Sequence, residues 1–295
     1  MSLFRQFRIL NSKGLAYSLN GDSGIFLHEP TGLGMKDEIK TADLGYGFFH
    51  DLKNKFYPAE SVAGDLLFIN SNPYELYREF VTFVVNSEEL ILSYKPYGTD
   101  EFFCRGRVEY LTKEELENTG VLKVPISFIP FTPWYLPKEL SLSMRELTGG
   151  EMAFTYKDSI AEKAFIYDEN LVYSSPLVGS YSIQLSAIGH LDASIVLSYP
   201  GLIENPKLTL VGVNTEKEYG KCEVTGISNG FEFSSLYTDS HIYDANGNSL
   251  LNGVSPGYSP FFHLPLTEPS ILTMTAANEL TEKAKISVYY FYRSV

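Results

Sequence analysis

Apolar positions in the first part of the chain come in short runs. Residues 7–10, 15–19 and 25–27 are separated by Asn-, Gly- and Ser-rich stretches at 11–14 and 20–24. That rhythm predicts antiparallel hairpins. Gly32, Gly34, Gly45 and Gly47 mark further turns or bulges, and 66–69 reads as a strand. One helix stands out. Ser71 or Asn72 can cap it, Pro73 suits its first position, and Tyr77, Phe80, Val81 and Val84 share a face at helical spacing. It should end near Asn86 and pack on a sheet. Strands are expected at 88–94, 105–111 and 121–128. Thr112-Lys113-Glu114-Glu115 has the form of a capping box, which predicts a short second helix ended by Gly120.

Pro130, Pro133 and Pro137 then fall within eight residues. They forbid a regular helix and disfavour a central strand. This stretch reads as the exit from a first domain, with a boundary between Trp134 and Gly150. The remainder alternates as strands at 181–187, 194–198, 207–213, 230–235, 270–275 and 285–292. Pro200-Gly201, Asn229-Gly230, Asn246-Gly247 and Pro256-Gly257 give turn signals between them. Strands at this spacing, without amphipathic helices between them, predict a β-sandwich. In the last segment Ile286, Val288, Tyr290 and Tyr292 occupy one face, so the terminus is expected to be tied into a sheet.

Composition narrows the function classes. The 295 residues carry a formal net charge of -13, the wrong sign for a free-standing nucleic-acid binder. Tyr (21) and Phe (20) are abundant, as suits strands and protein interfaces. The first ten residues, interrupted by Arg5 and Arg8, have no apolar core of signal-peptide length, and no stretch approaches membrane-spanning length. Synthesis and retention in a cytoplasm is the expectation. Cys104 and Cys222 lack CxxC or Cys/His companions; buried free thiols are the preferred reading, with a disulfide left open.

The chain offers little recognisable chemistry. Gly21-Asp22-Ser23-Gly24 has the form of a serine-protease nucleophile motif, but no His precedes it, and a hairpin turn is preferred. His28, His50, His190, His241 and His263 form no short-range metal pair, and a zinc site assembled across the fold is the lesser reading. Asp244-Ala245-Asn246-Gly247-Asn248 spaces oxygen ligands as a calcium loop does. Its glycine comes too early and Ser255 stands where a bidentate Glu is needed, so a tight turn is preferred. Gly32-Leu33-Gly34 completes no nucleotide fingerprint. Trp134 beside Tyr135 could stack on a sugar, but burial at the domain junction is preferred. No catalytic, metal or cofactor residue is therefore assigned, and no ligand-binding residue is known.

Several stretches, in order, resemble the distal tail proteins of siphophages, in the branch found in phages and prophages of Gram-positive bacteria. They are Leu10-Asn11-Ser12-Lys13-Gly14 with Tyr17-Ser18-Leu19-Asn20, the run from Phe26 to Gly34, Tyr74-Glu75-Leu76-Tyr77, Tyr94-Lys95-Pro96, Leu111 to Glu115, and Phe131-Thr132-Pro133-Trp134-Tyr135. Ile188-Gly189-His190 and the terminal Tyr292-Arg293-Ser294-Val295 add to the resemblance. It covers most of residues 1–136 and thins afterwards.

The resemblance implies a mainly β fold. Residues 1–140 would form a ring-forming belt domain, β-barrel or sandwich-like with one helix. Residues 141–295 would form a galectin-like β-sandwich whose last strand can return to the first domain. It implies a non-catalytic hub: a hexameric ring at the tail tip or baseplate, without cofactors. Its partners would be copies of itself, the tail tube protein, a tail-tip protein and a receptor-binding protein. Genomic DNA would pass through without specific binding, and no membrane is engaged. The alternative reading is a carbohydrate-binding module for host cell-wall glycans, to which residues 150–295 would contribute a groove.

Overall fold

The structure, a computed structural model, describes residues 5–34, 41–43, 48–50, 60–116, 118–142, 180–255 and 260–295. Gly45, Gly47, Pro256-Gly257 and the far part of the proposed boundary region lie outside the described residues, as does the His50 side chain. The chain divides into two compact units. The first is Met1–Lys138 with Ile188–Ala193 and Tyr289–Val295; the second is Glu139–Ala187 with Ser194–Val288.

In the first unit the strands are β1 (Gln6–Asn11), β2 (Ala16–Ser18), β3 (Ile25–Thr31), β4 (Thr41–Asp43), β5 (Phe48–His50), β6 (Val62–Phe68), β7 (Leu90–Lys95), β8 (Phe102–Leu111) and β9 (Leu122–Pro130). β4 and β5 pair with each other. The others form an antiparallel circuit, β2–β1–β7–β8–β9–β6–β3. Main-chain bonds from Leu27 N to Leu19 O (2.9 Å) and from Gly21 N to Ile25 O (2.8 Å) close it into a barrel. Closure removes the open edges that would invite non-specific pairing. Alternate residues point inward, as in β1, where Phe7 and Ile9 are buried and Arg8 is not.

Helix α1 (Pro73–Val85) covers this core. The Asn72 side chain accepts from Glu75 N at 3.4 Å, and Pro73 takes the first position, where it lacks no needed donor. The apolar stripe is rotated from the predicted one. Phe80 and Phe83 are buried and Leu76, Tyr77 and Val84 pack beside them, whereas Val81 is not in the core. The Tyr17 ring fixes this choice, meeting Phe80 and Phe83 edge-on at 5.4 and 4.9 Å.

Two expectations need correction. The segment at 112–116 is not helical. Its amides find carbonyls across the β8–β9 hairpin instead, Thr112 N to Pro125 O at 3.0 Å and Glu114 N to Lys123 O at 3.2 Å. Partners across the hairpin replace those a capping box would provide. Nor do the prolines end the sheet: β9 reaches Pro130, and β10 (Trp134–Leu142) follows and passes through Pro137. The turn between them is held by Arg105, whose O accepts from Phe131 N (2.6 Å) and whose N donates to Thr132 Oγ1 (3.0 Å). That places β10 beside β8 at Tyr135↔Phe103.

The second unit contains β11 (Ser180–Leu185), β12 (Leu191–Glu204), β13 (Lys207–Gly212), β14 (Glu218–Glu223), β15 (Ile227–Leu236), β16 (Asp239–Tyr243), β17 (Ser270–Thr275) and β18 (Ala284–Tyr292), with β12 and β18 each running on into the first unit. One sheet has the order β11–β17–β13–β14; in the other, β16, β15, β12 and β18 are neighbours. Inward side chains such as Leu208, Leu210, Leu272 and Met274 from one sheet and Leu197, Phe231 and Phe233 from the other are at most 1% exposed. Tyr181 and Tyr199 bring the two sheets into ring contact at 6.4 Å. Pro200-Gly201 and Asn229-Gly230, expected as turns, lie inside β12 and β15 as strand irregularities.

Candidate functional site

The residues with recognisable chemistry are engaged in structure. Ser23 Oγ donates to Ser18 O at 2.6 Å, and Gly21 and Gly24 take positive φ on either side, so this motif is the β2–β3 turn. Asp244 accepts from the Asn248 side-chain amide at 2.8 Å, from Asn248 N at 2.8 Å and from Asn246 N at 2.9 Å, which holds its carboxyl below the usual range and fixes a tight turn. Burial raises the Cys104 thiol well above its ordinary value and pushes Cys222 up to about 12; both are free and un-ionised at neutral pH. Trp134 is fully buried in the core of the first unit, 6.1 Å from the Tyr94 ring, and offers no platform for a sugar.

The histidines are dispersed. His28 lies on β3 near Glu29, and His263 stacks on Tyr237 at 4.3 Å. His241 lies between Glu232 (2.8 Å) and Asp239 (3.0 Å). Desolvation opposes its protonation, but the two carboxylates outweigh that and raise its pKa. Among the described residues no group of three or more His, Cys, Asp or Glu is arranged to hold a metal.

Two sequence motifs a hundred residues apart do meet. His190 N donates to Phe291 O at 2.8 Å, Arg293 N donates to His190 Nδ1 at 3.1 Å, and the His190 ring meets Tyr292 edge-on at 5.5 Å. Gly189 has φ +119°, and a Cβ there would stand 2.4 Å from Phe291 O, so only glycine permits this approach. Val295 N reaches Leu33 O at 3.1 Å, and Tyr292 packs on Phe102 at 5.1 Å. The first unit thus includes residues 289–295 as part of its packing. Its outer surface leaves Leu15, Ile69, Val85 and Tyr97 more than half exposed (61, 51, 74 and 70%). Alternation in the last segment signalled a strand tied into a sheet but not its meeting with His190, and nothing in the local pattern marked the exposed residues.

Comparison with known proteins bears on the same region. Residues 6–131 match the family model described as distal tail protein, N-terminal domain. No curated protein is significantly similar in sequence. Among solved structures, one from the phage P2 baseplate in its activated conformation with calcium superposes with a TM-score of 0.59 at 13% identity, over 99% of this chain and 99% of that one. The SPP1 Dit protein superposes with a TM-score of 0.57 at 11% identity, over 96% of this chain and 98% of that one. At such identities the likeness is one of fold, and it extends over both units. The first unit thus matches the distal tail protein N-terminal domain family in sequence over residues 6–131, and over nearly its whole length the chain is similar in fold to the phage P2 baseplate component and the SPP1 Dit protein.

Proposed function

We propose that this protein is the hub ring of a tail tip or baseplate, six copies closing through their first units. The observation that carries the reading is the closed, helix-capped barrel within residues 6–131, with its large exposed apolar residues. A closed barrel cannot recruit neighbours by open strand edges, so side chains such as Leu15, Ile69, Val85 and Tyr97 supply the contacts. A heterologous interface repeated by rotation yields a ring when the rotation closes.

In this reading the ring continues the tail tube above and carries a tip protein below. The second unit is a galectin-like sandwich that offers a surface to a receptor-binding protein. The SPP1 relative is described as a paradigm of hub adsorption apparatus in phages infecting Gram-positive bacteria, which supports placing this chain in that branch. The net charge of -13 suits a channel wall that repels phosphate and lets DNA pass. Light scattering across a concentration series, with negative-stain images of the same sample, tests the proposal. Six-membered rings with a central hole are the expected result. A monomer at every concentration, also after addition of the tail tube and tip proteins, overturns it.

A further inference from the structure

Three dipeptides that read as turns in the sequence meet in the second unit. β12 shifts register between Tyr199 and Leu202, which places Pro200 at a bulge. Gly230, at φ +86° in β15, lets the chain approach Ala245 so closely that a Cβ would stand 2.7 Å from the Ala245 Cβ. Asn246-Gly247 reverses the chain after β16, held by the Asp244 carboxylate. Adjacent segments therefore depart from regular strand geometry at one level, and there they border an open pocket of about 330 Å³. That lies at the lower end of the roughly 300–1,000 Å³ usual for small-molecule sites. Bulges concentrate beside such sites, where they re-aim side chains.

The wall is a cross-strand row of Ser198, Glu232 and Tyr243. Tyr243 stacks on His241 at 4.3 Å and 14°. Tyr243 lines the cavity, and the stack on His241 braces its ring there. One Glu232 oxygen is held by His241 Nε2 at 2.8 Å, while the side chain remains 45% exposed. The site thus combines a braced aromatic face, an oriented carboxylate and a hydroxyl. Glu232 and Asp244 set its charge against phosphates and other anions.

We propose that this cavity is a saccharide subsite that takes one hexopyranose unit of a glycan. The sugar's C–H face lies on Tyr243, its hydroxyls donate to Glu232, and Ser198 completes the hydrogen bonding. The proposal goes beyond the hub reading and does not depend on it, because ring formation and sugar binding are read separately. Saturation-transfer NMR of the full-length protein with methyl glucoside, methyl galactoside and methyl N-acetylglucosaminide tests it. At least one binds with a Kd on the order of 1 mM, and Tyr243→Ala and Glu232→Gln each weaken it about tenfold or more with circular dichroism unchanged. Should Tyr243→Ala fail to fold, Ala245→Trp, which fills the mouth from an exposed position, must abolish the signal in a folded protein. Silence from all three sugars, or binding that survives the variants, overturns the proposal.

Discussion

At the scale of single residues, Glu268 shows how the second unit organises a loop. Its carboxylate accepts from the Thr215 hydroxyl, from the Tyr219 hydroxyl at 2.5 Å, and from Asn214 N at 2.9 Å and Thr215 N at 3.1 Å. These donors favour the charged form and depress its pKa to about 2. A depressed carboxylate contributes stability that is complete above its unfolded pKa and is lost as pH falls towards 2. His241 has the opposite sign: its raised pKa contributes below the unfolded value and is lost as pH rises through the folded one. Thermal unfolding against pH should therefore show a fall on the acid side that Glu268→Gln flattens, and a fall from near neutrality upward that His241→Gln flattens. Trp134 makes a different prediction. It is fully buried, yet its indole Nε1 finds no partner among the described residues. Trp134→Ala should cost about 3–5 kcal/mol, whereas Trp134→Phe, which gives up no hydrogen bond and leaves a smaller cavity, should cost less. Urea unfolding of both variants measures the difference.

At the scale of elements, the helix was legible because its signals are local: Asn72, Pro73 and the apolar period all lie within fourteen residues. Its rotation was not. Val81 and Phe83 both fit a helical stripe, and only Tyr17, arriving from β2, decides for Phe83. Phe80→Ala should accordingly cost about 3–5 kcal/mol and Asn72→Ala about 1 kcal/mol, while Val81→Ala should fall within about 0.5 kcal/mol; chemical denaturation ranks the three. The misread segment at 112–116 teaches the same lesson, since a capping box is correct local chemistry that loses to amide partners across a hairpin. Pro200-Gly201 and Asn229-Gly230 were legible as irregularities but not as strand interiors, because a bulge and a turn use the same residues. The cavity they border was invisible for that reason: it exists only once three separate segments are laid side by side.

At the scale of the whole molecule, charge and apolar contact oppose each other. Each copy carries -13, so bringing the copies of the proposed ring together is repulsive, while exposed residues such as Val85 and Tyr97 favour association. Salt shifts the balance in one direction. Unpaired like charges are screened as the Debye length shortens from about 30 Å at 0.01 M to about 8 Å at 0.15 M, whereas burial of apolar surface is not weakened. Ring formation measured by light scattering should therefore strengthen from 0.01 to 0.15 M salt, on the order of tenfold in the association constant if screening recovers about 1.4 kcal/mol per interface. Val85→Asp should abolish assembly at either salt concentration with the barrel still folded, because Val85 is 74% exposed and contributes little to the core. Rings that instead dissolve as salt rises would assign the interface to cross-copy ion pairs, and Val85→Asp would then leave assembly intact.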